Sequence, residues 1–289
     1  MSAPLVTIVT PSYNQGRFLE ETIQSVLAQD YSNLEYLIID GGSQDGSVEI
    51  IKRYEPRLAS WVSEPDRGQS HAINKGFSRA RGQILAWLNA DDVYLSRTTV
   101  SEAVRAFHQD PSAGVAYGDY ALIRKDGTIF RLIPGLRRVS FQTFVAYCPG
   151  QPTAFIQRWV GDAFVLREDL QYGMDYDYWL RISKAGVRFR YIPRLCSAFR
   201  VHAPSKSSTT ARAMDEELRQ IRQQHFNGSW LSRWPLEALL RRGVGLWLRL
   251  RGLASVRALY RTPLAFEGRR LPLGAFCASQ LLSRTFQDV

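Results

Sequence analysis

Two hydrophobic rhythms alternate along the first third of the chain. Leu5–Thr10 and Leu34–Ile39 are mainly apolar runs of strand length, the first ended by Pro11 and the second by Asp40. Such runs mark strands buried on both faces. Ala59–Ser63 and Ile84–Leu88 are shorter runs of the same kind. Between them the apolar positions take helical spacing: Phe18, Leu19, Ile23, Val26 and Leu27 within Phe18–Ala28, a segment running from an N-cap at Ser47 to Tyr54, and another over Ser70–Arg79. Strands alternating with helices at these intervals predict a parallel sheet joined by right-handed crossovers.

Past residue 95 the rhythm changes. A helix is predicted over Thr98–Gln109, stopped before Pro111. Strands follow at Val115–Tyr120 and Ala121–Leu132, the second broken by a turn at Asp126-Gly127. Ser140–Tyr147 reads as a short helix, and Met174–Lys184 as a longer one ended by Gly186. Arg188–Ile192 and Cys196–Val201 read as short strands, Ser205–Thr210 as a flexible loop, and Ala211–His225 as a helix. The pattern divides the chain into a main domain over 1–210, with halves of about 1–95 and 96–210, and a helical, basic extension over 211–289.

Charge adds to the picture mainly in that extension. The chain carries +10 overall, and residues 229–289 supply ten arginines against three acids, Glu237, Glu267 and Asp288. There Leu236, Leu239, Leu240, Leu246, Trp247, Leu250 and Leu253 share one side of a helical wheel, while Arg233, Arg241, Arg242, Arg249 and Arg251 fall off it. Such a pattern fits a helix packed on the domain, or one lying in a membrane interface; the concentration of arginine favours peripheral membrane contact through residues 229–261. No nucleic-acid-binding motif accompanies the charge, so a nucleic acid partner is not expected. With 289 residues, 45 % of them hydrophobic, one sizeable core is expected. Cys148, Cys196 and Cys277 are too dispersed for a metal or disulfide framework, which favours a reducing compartment. No signal peptide or bilayer-length apolar run is evident, so a cytoplasmic protein is expected, peripheral to the inner membrane face if the tail docks there.

The chemistry collects at strand ends. Asn89-Ala90-Asp91-Asp92 follows the fourth strand, Asp40 ends the second, Tyr13 and Asn14 follow the first, and Asp66 follows the third. In open α/β sheets ligands bind at the carboxyl ends of the strands. Adjacent carboxylates there suit a hard divalent cation that holds a diphosphate, although a lone Asp pair in a loop is commonly only a turn or cap. The loop Pro11-Ser12-Tyr13-Asn14-Gln15-Gly16 lacks the glycine-rich dinucleotide fingerprint, and no P-loop lysine motif occurs. Asp175 and Asp177 flank Tyr176 at a helix start, where acids also serve as simple caps. Two residues apart on a helix, they point in different directions, so only one of them is expected to face the crevice. Trp87, Tyr178 and Trp179 lie inside apolar elements and read as core.

Taken in order, Val9-Thr10-Pro11-Ser12-Tyr13-Asn14, Asp40-Gly41-Gly42-Ser43-Gln44-Asp45-Gly46, Asp66-Arg67-Gly68, Asn74-Lys75-Gly76, Asn89-Ala90-Asp91-Asp92 and Met174-Asp175-Tyr176-Asp177-Tyr178-Trp179-Leu180-Arg181 resemble the family 2 glycosyltransferases over about residues 4–210. The resemblance implies a GT-A fold, with a Rossmann-like, mostly parallel central sheet flanked by helices and, here, a C-terminal helical extension. It implies an inverting transfer of a sugar from a nucleotide-sugar, UDP-linked, to an acceptor hydroxyl on a glycan or lipid-linked molecule, in cell-surface polysaccharide or glycolipid synthesis. Pro11, Tyr13, Asp40, Asp66 and Asp91 would bind the donor, with Tyr13 and Asp40 against the base. Asp92 and His202 would hold Mn²⁺ or Mg²⁺, and Arg200 and Lys206 could touch phosphate. Asp175 would be the general base, with Asp177 the alternative; Asn89 stands where the family's metal motif often has Asp, and Met174 where Glu often precedes the base. Gln151-Pro152-Thr153 would begin the acceptor region. A sugar nucleotidyltransferase and a non-catalytic nucleotide-sugar-binding module on the membrane are the rival readings.

Overall fold

Seven consecutive buried residues, Val6–Ser12, form the first strand, β1. Its side chains alternate between two apolar layers: Ile8 packs with Tyr36, Ile38 and Ala86 on one face of the sheet, and Val9 with Leu37, Ile39 and Trp87 on the other. The computed structural model, which describes residues 3–202 and 211–227, continues with α1 (Gly16–Leu27), β2 (Leu34–Asp40), α2 (Ser47–Tyr54), β3 (Ser60–Ser63), α3 (Gln69–Arg79) and β4 (Ile84–Trp87). These four strands pair in parallel in the order β3-β2-β1-β4, as their rhythm predicts.

The second half turns the sheet from parallel to mixed. It comprises β5 (Val93–Tyr94), α4 (Thr99–Gln109), β6 (Ala113–Ile123), β7 (Ile129–Ile133), β8 (Phe155–Gln157), α5 (Arg158–Ala163), α6 (Met174–Lys184), β9 (Arg188–Arg200) and α7 (Ala211–Phe226). From β4 the sheet runs on through β8, β6, β9 and β5, with β7 on the side of β6. β8 is antiparallel to both β4 and β6, and β6 runs parallel to β9.

Several boundaries differ from those expected. β1 continues through Pro11, because pairing with β4 stops at Val9–Trp87 and the missing N–H forfeits no ladder bond. The strands expected at Val115–Tyr120 and Ala121–Leu132 are the hairpin of β6 and β7. Those expected at Arg188–Ile192 and Cys196–Val201 are one strand: between Tyr117–Tyr191 and Asp119–Leu195 the register shifts, and that irregularity absorbs Pro193. α7 is more than an extension of the fold, since Ile221 and Phe226 sit in the same apolar cluster as Trp87, Tyr178 and Trp179. The loop expected at 205–210, Lys206, and the amphipathic segment 229–261 lie outside the described residues. Among the described residues no helix is long and apolar enough to cross a membrane.

Candidate active site

The loops after β1 to β4 open on one edge of the sheet, because those strands run in the same direction. The first two loops are stitched together. Asn14, in the left-handed conformation at φ 52°, donates its N–H to Ser43 Oγ (2.8 Å) and accepts from Gln44 N–H through Oδ1 (2.9 Å). Gly16 N–H donates to Asp45 Oδ2 (2.8 Å). Pro11 is buried two residues before Tyr13, whose ring is 62 % exposed at the mouth of the crevice.

Asp40 is wholly buried, and its carboxylate accepts from Gly42 N–H (3.1 Å), Ser43 N–H (2.9 Å), Ser43 Oγ (2.5 Å) and Ser63 Oγ (2.7 Å). It shapes its own loop. Asp66 is more open: Oδ1 accepts from Gly68 N–H (2.7 Å), and a Cβ on Gly41 would lie 2.6 Å from Oδ2 and 3.2 Å from the Tyr13 ring. Glycine at position 41 therefore leaves a slot between an exposed ring and a carboxylate, a shape suited to a flat, hydrogen-bonding group.

At the end of β4 the two adjacent acids face different surroundings. Asp92 has no exposed surface; Oδ1 accepts from Arg200 N–H (3.0 Å) and Oδ2 from Asn89 Nδ2 (3.1 Å). Burial, and then the neighbouring charge of Asp91, push its carboxyl well above the usual range. The Asp91 side chain keeps 19 % exposure, and its Oδ2 lies 3.0 Å from His202 Nε2. The His202 ring packs on Phe18 at 4.7 Å between centroids. Asp91 and His202 thus form a hydrogen-bonded pair, and its spacing of roughly 3 Å is also that of two neighbouring donors on an octahedral cation with bonds of about 2.1 Å. Arg200 is buried rather than offered to phosphate: its guanidinium donates to the Asp91 carbonyl (2.9 Å) and to Glu21, over the Phe18 ring at 4.8 Å.

Asn89, which the sequence left without a role, joins these groups. Its Oδ1 accepts from Gln69 Nε2 (2.7 Å), and its Nδ2 also reaches Gln151 Oε1 (3.1 Å), while Gln151 Nε2 donates to the Trp87 carbonyl (2.7 Å). One residue along α3, Ser70 Oγ lies 2.8 Å from Met174 Sδ. The first turn of α3 thus links the acid pair to the N-terminus of α6.

At that N-terminus the two candidate bases separate. Asp177 is 1 % exposed, accepting from Arg181 Nε (2.7 Å) and His225 Nε2 (3.0 Å). Although burial raises its pKa, the hydrogen bonds and charges of His225 and Arg181 outweigh it and hold the carboxyl below the usual range. Asp177 therefore ties α6 to α7 and faces no crevice. Asp177→Ala is expected to cost about 2–3 kcal/mol of stability at neutral pH, read from urea unfolding. Since the native carboxyl is the more acidic form, its contribution is present above the unfolded pKa and lost as pH falls through the native one. The mutant's deficit should accordingly shrink in acid.

Asp175 accepts from the N–H of Tyr176 (2.7 Å) and from its own N–H, and burial outweighs both and pushes its pKa up to about 6. Its charge is felt by the Cys148 thiol and by the Tyr120 hydroxyl, which also feels Asp92. Tyr120 thus lies within electrostatic reach of both Asp175 and Asp92.

The sequence model of "Glycosyl transferase family 2" matches residues 7–156, just over half of the chain. An uncharacterized glycosyltransferase of Mycobacterium tuberculosis is 41 % identical over 106 residues, covering 36 % of this chain and 40 % of its own. The putative teichuronic acid biosynthesis glycosyltransferase TuaG of Bacillus subtilis is 34 % identical over 128 residues, or 43 % of this chain and 50 % of its own. The chain thus spans 40 to 50 % of the length of these curated relatives. Among solved structures, S. aureus TarS 1-349 with UDP-GlcNAc superposes with a TM-score of 0.62 at 15 % identity, covering 82 % of this chain and 70 % of that one. The mannosyltransferase PcManGT of Pyrobaculum calidifontis, in complex with GDP-Man and Mn²⁺, gives 0.60 at 21 %, covering 94 % and 78 %.

Proposed function

The chain belongs to glycosyl transferase family 2 and has a GT-A fold, and from that premise we propose that it transfers a sugar from a UDP-sugar to an acceptor hydroxyl with inversion. The observation that carries the reading is two unlike carboxylates linked through the first turn of α3: Asp175, with its raised pKa, next to the Met174 that Ser70 touches, and Asp91, beside His202, in the turn that Gln69 reaches through Asn89.

The Tyr13 ring and the Asp66 carboxylate would receive the base in the slot above Gly41, with Asp40 and Pro11 fixing the loops beneath. Asp91 and His202 would hold Mn²⁺ or Mg²⁺, while Asp92, sealed by Arg200 and Asn89, fixes the turn that presents them. Among the described residues no group of three or more His, Cys, Asp or Glu could hold a metal, so phosphate oxygens and water would complete the shell. When bound, the ion supplies charge neutralisation to the departing diphosphate. Asp175 takes the proton of the acceptor hydroxyl as that oxygen attacks the anomeric carbon opposite the leaving group. One base and no carboxylate nucleophile give inversion. The acceptor would approach past Tyr120, Cys148 and the segment starting at Gln151.

The Bacillus relative's name speaks of teichuronic acid biosynthesis, which supports an acceptor in cell-surface polysaccharide assembly. Contact of residues 229–261 with the inner membrane face would suit a lipid-linked acceptor. Family membership sets aside a sugar nucleotidyltransferase. The test is calorimetric titration with UDP, with and without Mn²⁺, followed by UDP release from a panel of UDP-hexoses and UDP-N-acetylhexosamines. Metal-dependent UDP binding and turnover of one panel member are expected. UDP binding without any turnover would favour the non-catalytic module, and preference for GDP would overturn the UDP assignment.

A further inference from the structure

Resting on the reading of Asp175 as the base, we propose that Glu217 of α7 is a positioning residue that sets the orientation of Asp175 by holding the three peptide groups before it. Its carboxylate accepts from three consecutive backbone amides: Gln171 N–H on Oε2 (2.9 Å), and Tyr172 N–H (2.8 Å) and Gly173 N–H (2.6 Å) on Oε1. Gly173 directly precedes α6, and Asp175 is its second residue. The segment 171–173 itself lies in neither helix nor strand, between α5 and α6.

The approach is close, so that a side chain at position 173 would displace the neighbouring ends of Ile221 and Leu218. A Cβ on Gly173 would meet Ile221 Cδ1 at 2.6 Å and Leu218 Cδ2 at 2.9 Å. Further along the same interface His225 holds Asp177, and Phe226 stacks on Phe141 with centroids 4.7 Å apart. α7 thus grips α6 and the turn leading into it. Charge-assisted hydrogen bonds are the stronger kind, and three on one carboxylate fix the direction of the peptide planes. Because Asp175 has few hydrogen bonds of its own, its aim depends on that backbone. A misplacement of about 1 Å can cost about 10²-fold in rate.

The test compares Glu217→Gln, Glu217→Asp, Phe226→Leu and Asp175→Asn, using hydrogen exchange over residues 170–176, thermal unfolding, UDP/Mn²⁺ calorimetry and UDP release from the active panel sugar. Glu217→Gln keeps the shape but turns an NH₂ group towards one amide. It is expected to speed exchange in that segment and lower kcat by about 10- to 100-fold, with UDP affinity and donor KM within about twofold. Glu217→Asp, one methylene shorter, should fall between, and it carries the comparison if Glu217→Gln does not fold. Phe226→Leu loosens α7 away from the amides and should keep kcat within about threefold at an equal loss of melting temperature. Unchanged exchange in Glu217→Gln, kcat within threefold of wild type, or a parallel loss in Phe226→Leu would overturn the proposal. Full activity in Asp175→Asn would instead remove the base reading on which it rests.

Discussion

Asp175→Asn is expected to lower turnover of the active UDP-sugar by about 10²- to 10⁴-fold while UDP and Mn²⁺ binding stay within about twofold. The amide preserves shape and the hydrogen bond from the Tyr176 N–H, but it cannot take a proton. Wild-type activity should also carry an acid limb, to which the raised carboxyl of Asp92 adds. With a pKa near 6, Asp175 is increasingly protonated below that pH, so kcat/KM should fall roughly tenfold per unit below about 6 and level off above it. The groups that sense the same charge, Cys148 and Tyr120, are held neutral across that range by burial, so neither contributes the limb. A mutant as active as wild type, or a profile flat to pH 4.5, would exclude Asp175.

The second large effect separates the two acids of the turn. Asp91→Ala should reduce UDP binding in Mn²⁺ to its metal-free level and lower kcat/KM by about 10³-fold, because the charge of the leaving diphosphate would be left uncompensated. His202→Ala should act in the same direction. Asp92→Ala should behave differently. It removes the acceptor for the Arg200 amide and for Asn89 inside a sealed turn, and is expected to cost about 1–3 kcal/mol of stability. Calorimetry and thermal melts on the same preparations decide the matter. Metal-dependent binding retained by Asp91→Ala but lost by a stably folded Asp92→Ala would return the metal to Asp92.

The parallel half of the sheet was legible because each of its strands is an apolar run between helices of regular period, and that regularity also located the crevice. β5 and β8 were not legible: they have two and three residues, too few for any period to register, and their place depends on partners far along the chain. The site divides similarly. Position at the strand ends singled out Tyr13, Asp40, Asp66 and the Asp91-Asp92 pair, while His202 and the preference for Asp175 over Asp177 came from the family resemblance. Neither revealed that Asp40 and Asp92 point inward, since orientation at a strand end depends on which backbone amides converge there. Arg200 looked like a phosphate ligand by its charge, yet it is 1 % exposed. Glu217 and His225 carry no local motif, and their roles arise only when α7 lies against α6. The boundary expected at residue 210 would separate them from the groups they hold.

The pairing of Asp91 with His202 has a consequence for how the chain acquires its site. The two residues are 111 positions apart, and His202 comes into place only through β9, which pairs with β6 across a shorter but still long stretch of chain, as from Ala113 to Arg188. Contacts of such separation close late, after local helices and hairpins. During synthesis the β1–β4 unit could form while the ribosome is still adding the second half, yet it would lack one of the two proposed metal donors. Metal-dependent nucleotide capture should therefore be absent from nascent chains that end before β9, and arise as one of the last events of folding.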